Sequence, residues 1–333
     1  MIPVVDAHND LLLELVLRAE EENPFAAAWL PQLRAGSVAV QVCPVYAADA
    51  GDAARDVVDT QIAAFERAVR ENAGDVVQIR SARDLDGLAG RLGLMLSVEG
   101  VEALHGDPAR FEELWEAGVR MVSLTWNYPN PFAGGIDSPE KGLTAAGREL
   151  VGSFAKRGVV LDLAHASEPT YFDALEAAPG AQVVVSHAGC RGVHDHVRNL
   201  SDEQLRALAE RGGVLGMMAL TLTVGRNGAS LGRYLEHVDY AVESMGIEHV
   251  ALGSDFIDQV IQAEIAAGKP LNASTQEAME LGGGLLAIPE LVGPADYPAL
   301  LDALRGRGYD GERIEAIAHD NLLRVLRAGL PAT

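Results

Sequence analysis

Eight short apolar, β-branched runs, spaced too far apart for hairpins, constrain this 333-residue chain more than any other feature. They lie around Val4–Ala7, Val38–Val45, Leu94–Val98, Met121–Thr125, Val159–Leu163, Gln182–Ser186, Val214–Ala219 and His249–Gly253. Helical patterns stand between them: Ala53–Asn72 with Val57, Ile62, Phe65 and Val69 on one face, Pro108–Ala117, a helix opened by Thr144, another opened by Ser167-Glu168-Pro169, and Leu231–Met245. Ser201-Asp202-Glu203-Gln204 reads as a capping box, and Gly118, Gly158, Gly212 and Gly246 stand where helices must stop. Strands separated by helices pair in parallel, and eight of them are satisfied most economically by a (β/α)8 TIM barrel spanning 1–333 as one domain. Two doubly wound halves would need a composition break near the middle, and none is visible. No Gly-x-Gly-x-x-Gly or P-loop follows any run, which removes the usual nucleotide-binding reasons for such a sheet.

The beat fails only after the eighth run. About thirty residues, 257–288, separate it from the closing helices Tyr297–Arg305 and Ile314–Leu326, which are expected to pack outside the barrel. Following the last strand, this excursion belongs on the active-site face. It reads either as a lid flanked by Gly282-Gly283-Gly284 or as a decorative or oligomer-forming insertion.

Composition narrows the class of partner. A formal net charge of −22 opposes any nucleic-acid or anionic-membrane surface. No apolar run approaches the roughly 20 residues of a membrane helix, and Asp6, His8 and Asp10 interrupt any signal-like start. Cys43 and Cys190 have no metal-binding spacing and suit a reducing compartment, so a cytoplasmic location is expected.

Barrel enzymes draw their chemistry from the C-terminal ends of the strands. Here those ends carry His8 and Asp10 on the first run, whose spacing sends both side chains to one side, then Glu99, His165, His187 and Asp255. Imidazole and carboxylate without thiolate suit Zn²⁺, with Mn²⁺, Fe²⁺ or Co²⁺ as alternatives. Five ligands are too many for one tetrahedral catalytic zinc. Two ions use them better, with His8 and Asp10 on one, His165 and His187 on the other, and Glu99 between, holding a bridging hydroxide for hydrolysis. Asp255 is left as the proton carrier. His105, His194, His196, His237, His249 and His319 sit away from strand ends and read as non-catalytic, and Arg198 is available to a substrate carboxylate.

With these residues in hand the chain resembles the membrane (renal) dipeptidase family, zinc dipeptidases of the amidohydrolase-like barrel type. The resemblance runs through Asp6-Ala7-His8-Asn9-Asp10, Ser97-Val98-Glu99-Gly100, Asp162-Leu163-Ala164-His165-Ala166-Ser167, Ser186-His187, Arg198-Asn199, Gly253-Ser254-Asp255-Phe256 and Asp320-Asn321-Leu322-Leu323-Arg324-Val325. It implies two zinc ions held by His8, Asp10, Glu99, His165 and His187, with Asp255 as acid/base and Arg198 gripping the substrate carboxylate. It also implies hydrolysis of dipeptides, tolerance of a C-terminal D-residue, and a homodimer. Two departures stand out. The family's substrate-contacting histidine is replaced in Leu124-Thr125-Trp126-Asn127, so Trp126 and Asn127 become candidate substrate contacts, and the usual Asp-Phe-Asp-Gly turn reads Asp255-Phe256-Ile257-Asp258. These leave open another amide substrate, such as an N-acyl amino acid or a lactam, and a catalytically silent metal-binding barrel.

Overall fold

The computed structural model describes residues 2–48, 50–225, 228–271, 275–276, 279–280 and 284–333. Its strands are β1 (Val4–Asp6), β2 (Val38–Tyr46), β3 (Val76–Gln78), β4 (Leu92–Glu99), β5 (Met121–Ser123), β6 (Val160–Asp162), β7 (Val183–Ala188), β8 (Val214–Met217) and β9 (Val250–Leu252). All pair in parallel. The order β1-β2-β4-β5-β6-β7-β8-β9 closes on itself through Asp6 opposite Leu252, giving the eight-stranded (β/α)8 barrel.

The ninth strand is the addition to the expected eight. β3 aligns with Leu92–Leu94 and β5 with Ser97–Glu99, while β2 runs along Gly93–Glu99 on the opposite edge. β3 thus fills the lower part of an edge that β5, only three residues long, leaves open.

Inside the barrel every closing strand contributes to one apolar cluster: Val5, Val40, Val42, Met95, Met121, Val160, Val184, Val214 and Ala251. Leu322, Val325 and Leu326 join it, so the helix Asn321–Gly329 plugs the floor instead of lying on the flank as expected. The expected helix Ile314–Leu326 is also interrupted by a π-helical turn at Ala316–Asp320. Just beyond that turn, Asn321 Nδ2 donates to the carbonyls of Ile247 (2.7 Å) and Val250 (2.8 Å), fastening the plug beneath β9.

Helix starts follow the side-chain signals. Thr144, Ser167 and Ser201 each accept the backbone N–H of the third residue of their helices, Gly147, Thr170 and Gln204. The helix Ala145–Arg157 ends at Gly158 in the left-handed region. No described helix is long and apolar enough to cross a membrane.

Of the 257–288 excursion, the helix Asp258–Ala266 is described, whereas 272–274, 277–278 and 281–283, including Gly282 and Gly283, lie outside the described residues. The segment is tied down where it returns. The Asp258 carboxylate accepts from Leu286 N (2.8 Å) and Ala287 N (2.7 Å), and Ile261 and Leu286 form a small apolar cluster.

Candidate metal centre

The strand ends converge. His8 and Asp10 follow β1, Glu99 ends β4, His165 lies three residues beyond β6, His187 sits within β7 and Asp255 lies three residues beyond β9. All six are at most 7% exposed. His8 Nε2 stands 3.7 Å from Asp10 Oδ1 and 3.8 Å from both Glu99 Oε2 and Asp255 Oδ1. On the other side, His165 Nε2 is 2.9 Å from Glu99 Oε1 and 2.8 Å from His187 Nε2, which is 3.5 Å from the same Glu99 oxygen. Glu99 therefore faces His8 with one oxygen and the His165–His187 pair with the other.

This donor set fits divalent ions. His8 Nε2 is buried without a hydrogen-bond partner, although three carboxylate oxygens surround it just beyond bonding distance. Donors held ~2.1 Å from a shared ion stand roughly 3–4 Å apart, the spacing seen here. Among the described residues, His8, Glu99 and His187 bring ligand atoms within 4.8 Å of one another, as do His8, Asp10 and Asp255.

The protein's own charges explain what an ion would relieve. Burial opposes charge on His8, but Glu99, Asp10 and Asp255 overcome it and raise its pKa to about 10. Burial lifts Glu99 to about 8 and Asp255 to about 7 against the attraction of His8 and Arg198, with Asp10 adding to both rises. Burial, joined by repulsion from Arg198 and His8, pushes His165 and His187 well below the usual imidazole range, which keeps both rings neutral, the form that binds a cation.

The histidines are oriented from behind. Asn127 Oδ1 accepts from His165 Nδ1 (2.7 Å), leaving the Nε2 lone pair facing Glu99, and Ser186 Oγ lies 2.8 Å from His187 Nδ1. Asp162 Oδ1 accepts from both Ala164 N (3.0 Å) and Ser186 N (2.9 Å), joining the segments that carry the two histidines. Asp6 Oδ1 likewise accepts from His8 N (3.1 Å). The hydrogen bonds of Asn127, Asp162 and Asp6 were not foreseen. A carboxylate that turns its own strand end has no signature in spacing, although Asp6 and Asp162 recur two and three residues ahead of a histidine.

Backbone geometry completes the aim. His165 (φ 61°) and Asp255 (φ 59°) both adopt the left-handed region. The register of β7 shifts between Val185 and Ala188, and the Ser186 carbonyl there enters a gap over β8 and β9. A Cβ would stand 2.0 Å from that oxygen at Gly216 and 1.8 Å at Gly253, so the bend beside His187 exists only because both positions are glycine.

Arg198 is buried, its Nη2 2.9 Å from His165 Nε2 and donating to the His187 carbonyl (3.2 Å). Trp126 stands beside His165 with ring centroids 5.9 Å apart. The remaining histidines serve structure where their bonds are seen. His237 accepts from Cys190 N and contacts Val224 O, and His249 Nδ1 contacts Gly213 O.

The model of the membrane dipeptidase family, peptidase family M19, matches residues 1–267. The chain belongs to the membrane dipeptidase family. An uncharacterized dipeptidase of Schizosaccharomyces pombe is 31% identical over 285 residues, 76% of this chain and 68% of the relative. Among solved structures, a dipeptidase of family M19 superposes with a TM-score of 0.86 at 24% identity, covering 100% of this chain and 99% of the other. A metallopeptidase from Rhodobacter sphaeroides, liganded with a phosphinate mimic of the dipeptide L-Ala-D-Ala, gives 0.84 at 23% identity over 98% and 99%. These two share the barrel. Membership in the membrane dipeptidase family makes the chain a hydrolase of metallopeptidase type, and the carboxylate–imidazole cluster lies where such a barrel places its catalytic groups.

Proposed function

We propose that this member of the membrane dipeptidase family hydrolyses dipeptides with two zinc ions, one held by His8 and Asp10, one by His165 and His187, and Glu99 shared. The observation that carries the reading is His8 Nε2, a buried imidazole nitrogen that makes no hydrogen bond yet has three carboxylate oxygens 3.7–3.8 Å away. When bound, the ions supply Lewis-acid polarisation of the peptide carbonyl and acidify water. Asp255, buried beside His8, takes the proton of the attacking water and returns it to the departing amine, so that neither lyate ion nor free amide anion forms. The Arg198 guanidinium binds the substrate's terminal carboxylate, for which its planar fork is suited. Asn127 holds the tautomer of His165, and Trp126 walls the site. The L-Ala-D-Ala mimic bound to the Rhodobacter sphaeroides structure supports tolerance of a C-terminal D-residue. A cytoplasmic location belongs to the same proposal, supported by the buried free thiols of Cys43 and Cys190.

A panel of L-L and L-D dipeptides, assayed with zinc-loaded protein, tests the proposal. Cleavage of a subset that includes L-D pairs is expected, together with loss of turnover in His187→Ala. No cleavage from protein that holds two metals per chain would refute it. That outcome would favour an N-acyl amino acid or lactam, which the replacement of the family's histidine by Trp126 makes the second reading.

A further inference from the structure

We propose that Tyr46, Trp126 and Tyr128 form a subsite for a bulky apolar side chain, so that the substrates of this chain are dipeptides carrying a residue such as Leu or Phe. The inference rests on the dipeptidase reading and specifies it. Trp126 meets Tyr46 edge-on at 5.4 Å and Tyr128 edge-on at 5.2 Å, and its other neighbour is His165 at 5.9 Å. Tyr46 is the register partner of Glu99 on the adjoining strand. The three rings thus make one aromatic surface that starts beside the carboxylate facing both histidine groups and ends at Tyr128, which is 39% exposed.

Formal charges border this surface at its metal-centre end, where Glu99 is opposite Tyr46. The buried guanidinium of Arg198 lies against His165 Nε2, while Asn127, the chain neighbour of Trp126, occupies Nδ1. The carboxylate of Glu102, on the loop after β4, is engaged by Asn130 Nδ2 at 2.9 Å. Beyond that end a group entering along the rings meets π faces and edges, the setting in which burial of a large hydrocarbon side chain is favourable.

A second observation points the same way. The exposed large apolar side chains among the described residues are Tyr128, Val197 (61%) and Ile265 (45%). All three lie on segments that follow barrel strands on the metal-centre side: Tyr128 after β5, Val197 next to Arg198 after β7, and Ile265 in the helix after β9. Tyr128 and Val197 thus stand close in sequence to two residues of the site, Asn127 and Arg198.

The experiment measures kcat/KM for Ala-X and X-Ala dipeptides, with X as Gly, Ala, Leu or Phe, on zinc-loaded wild type, Trp126→Ala, Trp126→Phe and Tyr128→Ala. In at least one series the wild type is expected to favour Phe over Gly by about 10-fold or more, carried by KM, as filling an apolar pocket allows. Trp126→Ala is expected to bring that ratio to within about 3-fold of unity, with Tyr128→Ala intermediate and Trp126→Phe retaining most of it. Zinc content and thermal midpoint report whether each variant is folded, and Tyr128→Ala, at an exposed position, keeps the test decisive if Trp126→Ala is not, an undiminished ratio there overturning the subsite. A flat series in the wild type, or an undiminished ratio in Trp126→Ala, overturns the subsite and leaves the dipeptidase reading intact. Absence of any dipeptide cleavage overturns both.

Discussion

Adding one methyl group at position 253 is expected to dismantle the metal centre without altering a ligand. In Gly253→Ala the new Cβ would lie 1.8 Å from the Ser186 carbonyl oxygen, against the 3.0 Å that real Cβ atoms keep, a deficit of 1.2 Å. Little can give way. The clashing atom is backbone, the Gly216 Cα lies 3.2 Å away on the next strand, and β7 is hydrogen-bonded on both edges. Relief must come from Ser186, and His187 follows it directly. Metal ligands tolerate displacements of about 0.2 Å, several times less than the shift required. Overpacking of this kind costs about 1–3 kcal/mol, so the urea midpoint falls and zinc per chain falls with it. Gly152→Ala is the control. On the exposed face of the helix Ala145–Arg157 its Cβ would approach nothing closer than Ala177 O at 3.7 Å, and Gly-to-Ala at such a position is expected to stabilise by about 0.5–1 kcal/mol. Measurement of unfolding midpoint, zinc stoichiometry and dipeptide turnover for both variants decides the matter. Wild-type zinc content and midpoint in Gly253→Ala would refute the reasoning.

Three further outcomes are expected. Asn127→Ala removes the acceptor of His165 Nδ1 and should weaken metal binding about 10- to 100-fold, read by chelator competition, with Asn127→Asp restoring part of the loss. Stripping the metals should abolish hydrolysis and lower the thermal midpoint, because a ligand at ~1,000 times its Kd adds about 4 kcal/mol to the folded state; readdition of zinc should recover both. His237 gives a pH dependence away from the metal centre. Burial holds its pKa near 4, whereas the unfolded chain protonates at about 6.5, so its contribution is full above pH 6.5 and is lost as pH falls toward 4. At pH 5 the loss is about 2 kcal/mol relative to neutral pH, and zinc-loaded His237→Gln should show a correspondingly shallower decline in urea midpoint between pH 7 and 5.

The parts legible in the sequence are those written as alternation. Eight barrel strands could be found because each buries both faces and reads as a continuous apolar run, and their helices because Thr144, Ser167 and Ser201 announce them. His8, Asp10, Glu99, His165, His187 and Asp255 were legible as a set because barrel closure gathers strand ends in one place. The three-residue β3 was missed, since Val76–Gln78 has the composition of a strand but lies below β5 as an extra filler. The bond from Asn127 to His165 was hidden for a different reason: a loop residue's facing depends on the path of the chain around it. The same holds for the Ser186 carbonyl and its two glycines, which come from β7, β8 and the residue just after β9.

The left-handed backbone at His165 and Asp255 limits how this centre can be rebuilt. Libraries that retarget a metal site usually exchange ligands among His, Cys, Asp and Glu as though every position were equivalent. Here two positions, the ligand His165 and the proton carrier Asp255, are constrained twice, by their chemistry and by φ near 60°, a region that Asn, Asp and His enter more readily than other side chains. Exchanging His165 for Cys or Glu would add backbone strain of about 1 kcal/mol or more before any metal is chosen. His8, Asp10, Glu99 and His187 carry no such penalty, so attempts to shift the centre toward softer or harder ions have most room at those four residues.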